Sequence, residues 1–123
     1  MNDWTTDELD KVGSADELEV APLRPDGSQR AYVPVWVVRV GDNLYVRSYR
    51  GREGAWYRSA VDQREGRIRA GGVERAVAFE PDGADQEAVD EAYRAKYARY
   101  GDTYLDPMLR PGATETTLRL AAR

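Results

Sequence analysis

Between residues 31 and 38 the chain is apolar on both faces of an extended strand. Ala31, Val33, Val35 and Val37 alternate with Tyr32, Pro34, Trp36 and Val38. A strand of that kind, over about residues 30–40, is covered on both sides by core, ligand or a second subunit. Pro34 lacks the N–H that a sheet ladder uses, so it predicts a bulge or an edge position. Gly41-Asp42-Asn43 closes a hairpin. In the strand that follows, Leu44, Val46 and Ser48 share one face, opposite Tyr45, Arg47 and Tyr49.

Thr5-Thr6-Asp7-Glu8 has the spacing of a capping box, which starts a short helix running to about Val12 and ended by Gly13-Ser14. Residues 17–23 alternate as a strand, and Pro25-Asp26-Gly27 is a turn. Residues 55–64 suit a helix with Trp56 and Ala60 on one side. Residues 66–70 and 73–80 form a second hairpin about Gly71-Gly72. The clearest helix spans 85–100, with Asp85 as its cap and Gly101 as its stop. Its apolar stripe is Val89, Ala92, Tyr93, Tyr97 and Tyr100. Residues 102–115, with two prolines, read as irregular, and 116–122 as a closing strand. Six short strands joined mostly by tight turns, with three helices outside them, predict one α+β domain over residues 1–123. A small six-stranded antiparallel barrel fits best, with an α+β sandwich as the alternative.

Composition narrows the chemistry. The 123 residues suffice for one core, and no apolar run approaches the ~20 residues of a membrane helix. The N-terminus is acidic and has no apolar signal region, which points to a cytoplasmic protein. The chain contains no Cys and no His. Disulfides, thiolate nucleophiles, Ser-His triads and tetrahedral zinc sites are therefore excluded, and any metal would need oxygen ligands. Net charge is −4, yet residues 30–75 hold ten Arg against five acids. That local excess suits an anion site better than nucleic acid, which favours a basic domain overall.

The basic residues concentrate where the second hairpin strand ends. Arg47, Arg50, Arg52 and Arg58 surround Gly51 and Gly54, and Trp56-Tyr57 follow. The arginines either converge on an anion through charge-assisted bonds or lie on the surface paired with Glu53, Asp62 and Glu65. The glycines admit a phosphate or merely satisfy turn geometry. Trp36, Trp56 and Tyr57 stack on a flat ligand or fill the core, and burial favours the core for Trp36. Ser48 and Ser59 lack a base, since Lys11 and Lys96 are remote in sequence, so hydrolase chemistry is rejected.

The VPVWVVRVGDNLYVRS hairpin, Arg52-x-x-Ala55-Trp56-Tyr57-Arg58 and the AYRAKYARY helix resemble, along nearly the whole chain, the bacterial family called domain of unknown function 2255. Over roughly residues 17–80 the strand order and GRIRAGGVERAVAF resemble the split β-barrel flavin-binding superfamily. That group includes pyridoxamine-phosphate oxidase relatives and deazaflavin-dependent, nitroreductase-like proteins. The resemblance implies a split barrel binding a small flat anionic ligand, FMN or a deazaflavin, with hydride-transfer chemistry. It places Arg30, Arg47, Ser48 and Arg50 or Arg52 around the phosphate, with Pro34, Val35 and Trp36 along the ring. Trp56 is then an aromatic wall, or a plug filling the cofactor's space. It further implies a homodimer with the cofactor at its interface. The alternative is a non-enzymatic ligand-binding or dimerisation module without a cofactor.

Overall fold

The computed structural model describes residues 4–81 and 83–123. Its first helix, α1 (Thr6–Ser14), begins at the capping box: Thr5 Oγ1 accepts from the Glu8 N–H at 3.1 Å, and Glu8 Oε1 accepts from the Thr5 N–H at 3.0 Å. Strands β1 (Leu18–Pro22), β2 (Val33–Val35), β3 (Val37–Val40) and β4 (Asn43–Val46) follow. Next come α2 (Ala55–Gln63), β5 (Glu65–Ala70), β6 (Val73–Glu80) and α3 (Gln86–Tyr97), then α4 (Asp102–Leu109), α5 (Pro111–Thr114) and β7 (Leu118–Ala122).

The seven strands form one sheet in the order β2-β1-β5-β6-β7-β4-β3, antiparallel at every pairing. The count exceeds the six strands expected because the long apolar run is broken at Trp36 into β2 and β3. Those two strands are the opposite edges of the sheet, and a single residue joins them. A twisted sheet whose edges are that close must roll up until they nearly meet, so it becomes a near-closed barrel split beside Trp36. Pro34 pairs opposite Glu19 on an edge strand, where its missing N–H costs no ladder bond to a further strand.

Alternation along the strands sets two cores. Leu18, Val20, Val37, Leu44, Val46, Ile68, Phe79 and Leu120 point into the barrel and are essentially inaccessible, with Trp56 and Ala60 of α2 packed among them. The opposite register faces outward: Val38 and Tyr45 meet Val89, Tyr93 and Tyr97 of α3 with Leu105 and Met108 of α4. The two-sided apolar run is covered in this way only at β3, where Val37 faces the barrel interior and Val38 the helices. In β2 Val33 and Pro34 are exposed, so the cover expected on both faces there is not supplied by this chain. Residues 102–115, expected to be irregular, instead carry α4 and α5. Pro107 lies inside α4 and Pro111 opens α5 at its first turn, where no N–H is needed. Among the described residues, no helix is long and apolar enough to cross a membrane.

Candidate functional site

The site grows from the end of β4. Ser48 N–H donates to Thr116 Oγ1 at 2.8 Å, and Gly51 N–H donates back to the Ser48 carbonyl at 3.0 Å. The chain then makes a 3-10 turn at Gly51–Glu53 and enters α2 through Gly54. Gly51 has φ +67°, and a Cβ there would lie 3.0 Å from the Gly112 carbonyl oxygen, so glycine serves both turn and packing. Gly54 is different. Its φ is an ordinary −61°, but a Cβ would come within 2.5 Å of Ser48 Oγ. Glycine at 54 therefore makes room for a hydroxyl.

That hydroxyl is unusual. Ser48 is 1% exposed and its Oγ has no hydrogen-bond partner among the described residues. A buried hydroxyl without a partner costs roughly 1–3 kcal/mol. Beside it, α2 starts with no side-chain cap, leaving the first-turn N–H groups and the positive end of the helix dipole uncovered.

These groups flank a cleft of about 470 Å³. One wall is the β2 edge, Val33 to Val35, with Trp36 at the barrel seam. Across from it are Ser48, Tyr49 and Arg50, then Gly54, Ala55 and Trp56. Tyr104 and Met108 of α4 complete the lining, together with Glu17. The surface is mostly apolar, within the size range of small-molecule sites. Trp56 is 8% exposed and anchored in the barrel core, so it forms a wall and leaves the space open. Around the mouth Tyr49 and Tyr104 are 63% and 61% exposed.

Pro34, Val35, Trp36, Arg47, Ser48, Arg50 and Trp56 are brought together at this cleft; Arg30, Arg52 and Tyr57 do not line it. Arg52 is exposed and pairs with Glu115 at 3.1 Å. Tyr57 meets Trp56 edge to face, centroids 6.2 Å apart, against the core. Glu17, Tyr104 and Met108 join the site unexpectedly. Tyr104 and Met108 come from the segment expected to be irregular, and the signal that could have found them is the Leu105/Met108 spacing of a buried helical face.

Arg47 lines the cleft yet is 0% exposed, and its guanidinium is enclosed on the far side. Nε donates to Thr117 Oγ1 at 2.9 Å, Nη1 to the Met108 carbonyl at 2.8 Å and Nη2 to Gln86 Oε1 at 2.9 Å. Nη1 also lies 2.7 Å from Asp90 Oδ1, in an ion pair that departs from hydrogen-bond alignment, and the group sits over the Tyr93 ring at 5.1 Å. Arg50 is exposed and has no ion-pair partner among the described residues. The cleft's available positive charge is therefore Arg50 and the α2 terminus.

Behind Trp36 lies an aromatic cluster. Trp36 stacks on Tyr97 with centroids 3.9 Å apart and planes 2° from parallel. The Tyr97 hydroxyl accepts from Val37 N–H at 3.1 Å and faces the Asp16 and Val37 carbonyls at 2.9 and 3.0 Å. Burial pushes the Tyr97 and Tyr93 phenols well above their ordinary range. Burial also pulls the Lys96 ammonium down to about 8, although its Nζ donates to the Val37 carbonyl at 2.7 Å.

Comparison with known proteins places this architecture. The family described as "uncharacterized protein conserved in bacteria (DUF2255)" matches residues 8–120. No curated protein matches the sequence. Among solved structures, HutZ, the heme storage protein from Vibrio cholerae, is 10% identical, with TM-score 0.64 over 96% of this chain and 89% of that one. The FAD- and heme-binding protein from Mycobacterium smegmatis is 20% identical, TM-score 0.51, covering 98% of this chain and 66% of that one. An F420 reductase is 14% identical, TM-score 0.50, covering 94% and 90%. At these identities the likeness is one of fold, the split barrel.

Proposed function

The chain belongs to the DUF2255 family of bacterial proteins, and from that premise we propose that it binds a flat, phosphate-bearing cofactor, FMN or a deazaflavin, in the Trp36 cleft. One observation carries this: Ser48, whose buried Oγ is without a partner, lies beside the uncapped start of α2 and the unpaired Arg50, at the margin of an apolar cleft. A phosphate is the ligand group that suits several N–H donors, a hydroxyl and a guanidinium together. Trp36 and Trp56 supply the aromatic walls, and Glu17 is the carboxylate available to ring N–H groups. Arg47 positions this end of the site by tying β4 to α3, α4 and β7, rather than meeting the ligand. Met108 and the rim tyrosines limit water access.

Bound there, the ring system would supply hydride chemistry, and the protein's part would be orientation and exclusion of solvent. Heme, which similar folds are described as binding, suits the cleft less well. A heme iron needs an axial ligand, the chain has no His or Cys, and the cleft offers in their place only buried Met108 and the rim phenols of Tyr49 and Tyr104. Pairing of two chains across the exposed rim of Val33, Tyr49 and Tyr104 belongs to the same proposal, because it would shield the open side.

The experiment is calorimetric titration with FMN, a deazaflavin phosphate, and riboflavin, which lacks the phosphate. FMN or the deazaflavin should bind at least about tenfold more tightly than riboflavin, and Arg50→Ala should remove most of that difference, as a charge-assisted bond of about 1.5–3 kcal/mol would. Absence of binding by both phosphorylated ligands overturns the proposal.

A further inference from the structure

Trp36 is the one residue that joins the two edges of the barrel, and its ring belongs to the cleft wall on one side and to an aromatic cluster on the other. Behind it lies Tyr97, stacked in van der Waals contact at 3.9 Å. Tyr100 is 6.0 Å from Tyr97 and 5.6 Å from Trp36, centroid to centroid, and is 40% exposed. Three rings of low oxidation potential therefore run without a gap from the cleft to the solvent. We propose that Trp36, Tyr97 and Tyr100 form an electron relay between the cleft and the protein surface.

The chemistry decides where the relay ends. A one-electron radical oxidant in the cleft, of the class to which the azidyl radical belongs, takes one electron from the Trp36 indole and becomes its anion, and the indole N–H proton leaves to solvent. Tyr100 then gives an electron to Trp36, directly or through Tyr97, and releases its phenolic proton; Trp36 regains an electron and a proton. The net change is one oxidised tyrosine at the surface and one reduced oxidant. Tyr97 is a poor terminus. The acceptors its hydroxyl faces are the Asp16 and Val37 carbonyls, which are not bases, and burial resists loss of its proton. Tyr100 is a good one. Arg99 Nη2 donates to its oxygen at 3.2 Å, so the phenolic hydrogen is left for water.

The relay goes beyond the binding of any cofactor and is testable without one. Pulse radiolysis of the purified protein generates the azidyl radical, which oxidises Trp36 and becomes azide. Trp4 and Trp56 are both 8% exposed and less accessible than half-buried Trp36. In the unsubstituted protein the indolyl absorption should decay as the tyrosyl absorption rises, at a rate independent of protein concentration. Tyr100→Phe should slow that rise about tenfold or more, a barrier increase of about 1.4 kcal/mol, and Trp36→Phe should abolish it. Tyr104→Phe, which alters a tyrosine that lines the cleft but lies outside the relay, should leave the rate unchanged. Each of these three positions is at least partly exposed, and circular dichroism checks that the variants fold. An unchanged rate in Tyr100→Phe, a rate that scales with concentration, or loss of the transfer in Tyr104→Phe would each refute the relay. None of these outcomes depends on whether FMN binds.

Discussion

Replacing Arg47 with methionine isolates what the buried guanidinium does. The substitution keeps an unbranched side chain of similar reach and removes the charge and the donors. Thr117 and Gln86 keep one another, because Thr117 Oγ1 donates to Gln86 Oε1 at 3.0 Å or to the Thr114 carbonyl at 2.7 Å. The groups left stranded are the Met108 carbonyl and the Asp90 carboxylate. Removing one partner of a buried ion pair costs about 3–5 kcal/mol. The Asp90 side chain retains 24% of its exposure and can recruit some water, so the low end, about 3 kcal/mol, is expected. For a domain of this size that is a fall in Tm of about 12 °C.

Urea denaturation and calorimetry at one pH measure the loss. The decisive arm is the double variant Arg47→Met with Asp90→Leu, which removes the stranded charge. It should recover at least about 1 kcal/mol, since an apolar pair often replaces a buried ion pair without penalty. If Arg47→Met lowers stability by less than about 1 kcal/mol, or if Asp90→Leu deepens the loss, the guanidinium is not the hub of this junction. If FMN binding then falls while stability is intact, Arg47 meets the ligand.

Arg50→Ala should change stability by no more than about 0.5 kcal/mol, because Arg50 is exposed and unpaired, so calorimetry and ligand titration separate it cleanly from Arg47. Gly54→Ala should destabilise by about 1–3 kcal/mol through overpacking against Ser48 Oγ, and adding Ser48→Ala should recover much of it in the same urea assay. Stability should rise with pH from about 8 towards 10, because Lys96 has a lowered folded pKa and the unfolded chain binds the extra proton there. Above pH ~10 the trend should reverse, as Tyr93 and Tyr97 ionise readily only when unfolded. Lys96→Met should abolish the rise in the urea midpoint and leave the reversal.

Much of the fold was legible because its signals are local. The capping box at Thr5 and Glu8, the turn at residues 41–43 and the stripe of α3 each lie within one turn or one hairpin. The break at Trp36 was not local. Pro34 marks an edge or a bulge, but nothing in VPVWVV places a break two residues later; it arises because the strand must serve as both edges of a sheet rolled on itself. The helices in residues 102–115 were hidden for a related reason: two prolines suppress helical preference, and burial of Leu105, Met108 and Ala113 overrides it.

The cleft was legible by composition and obscured by partnership. Arg47 and Arg50 look alike in sequence, but one lies on a strand end enclosed by three elements and the other on the loop beyond it. Sequence counts positive charges, whereas a binding site needs charges that nothing else has claimed. Ser48 shows the converse. Only the family resemblance singles it out in the sequence, and it matters because Gly54 lets it sit buried without a partner at the start of a helix that has no cap. The same principle bears on Trp36, whose burial statistics favour core. It is core and cleft wall together, since the ring that seals the barrel seam packs on Tyr97 with one face, and that double role puts the cleft, Tyr97 and exposed Tyr100 in one aromatic cluster.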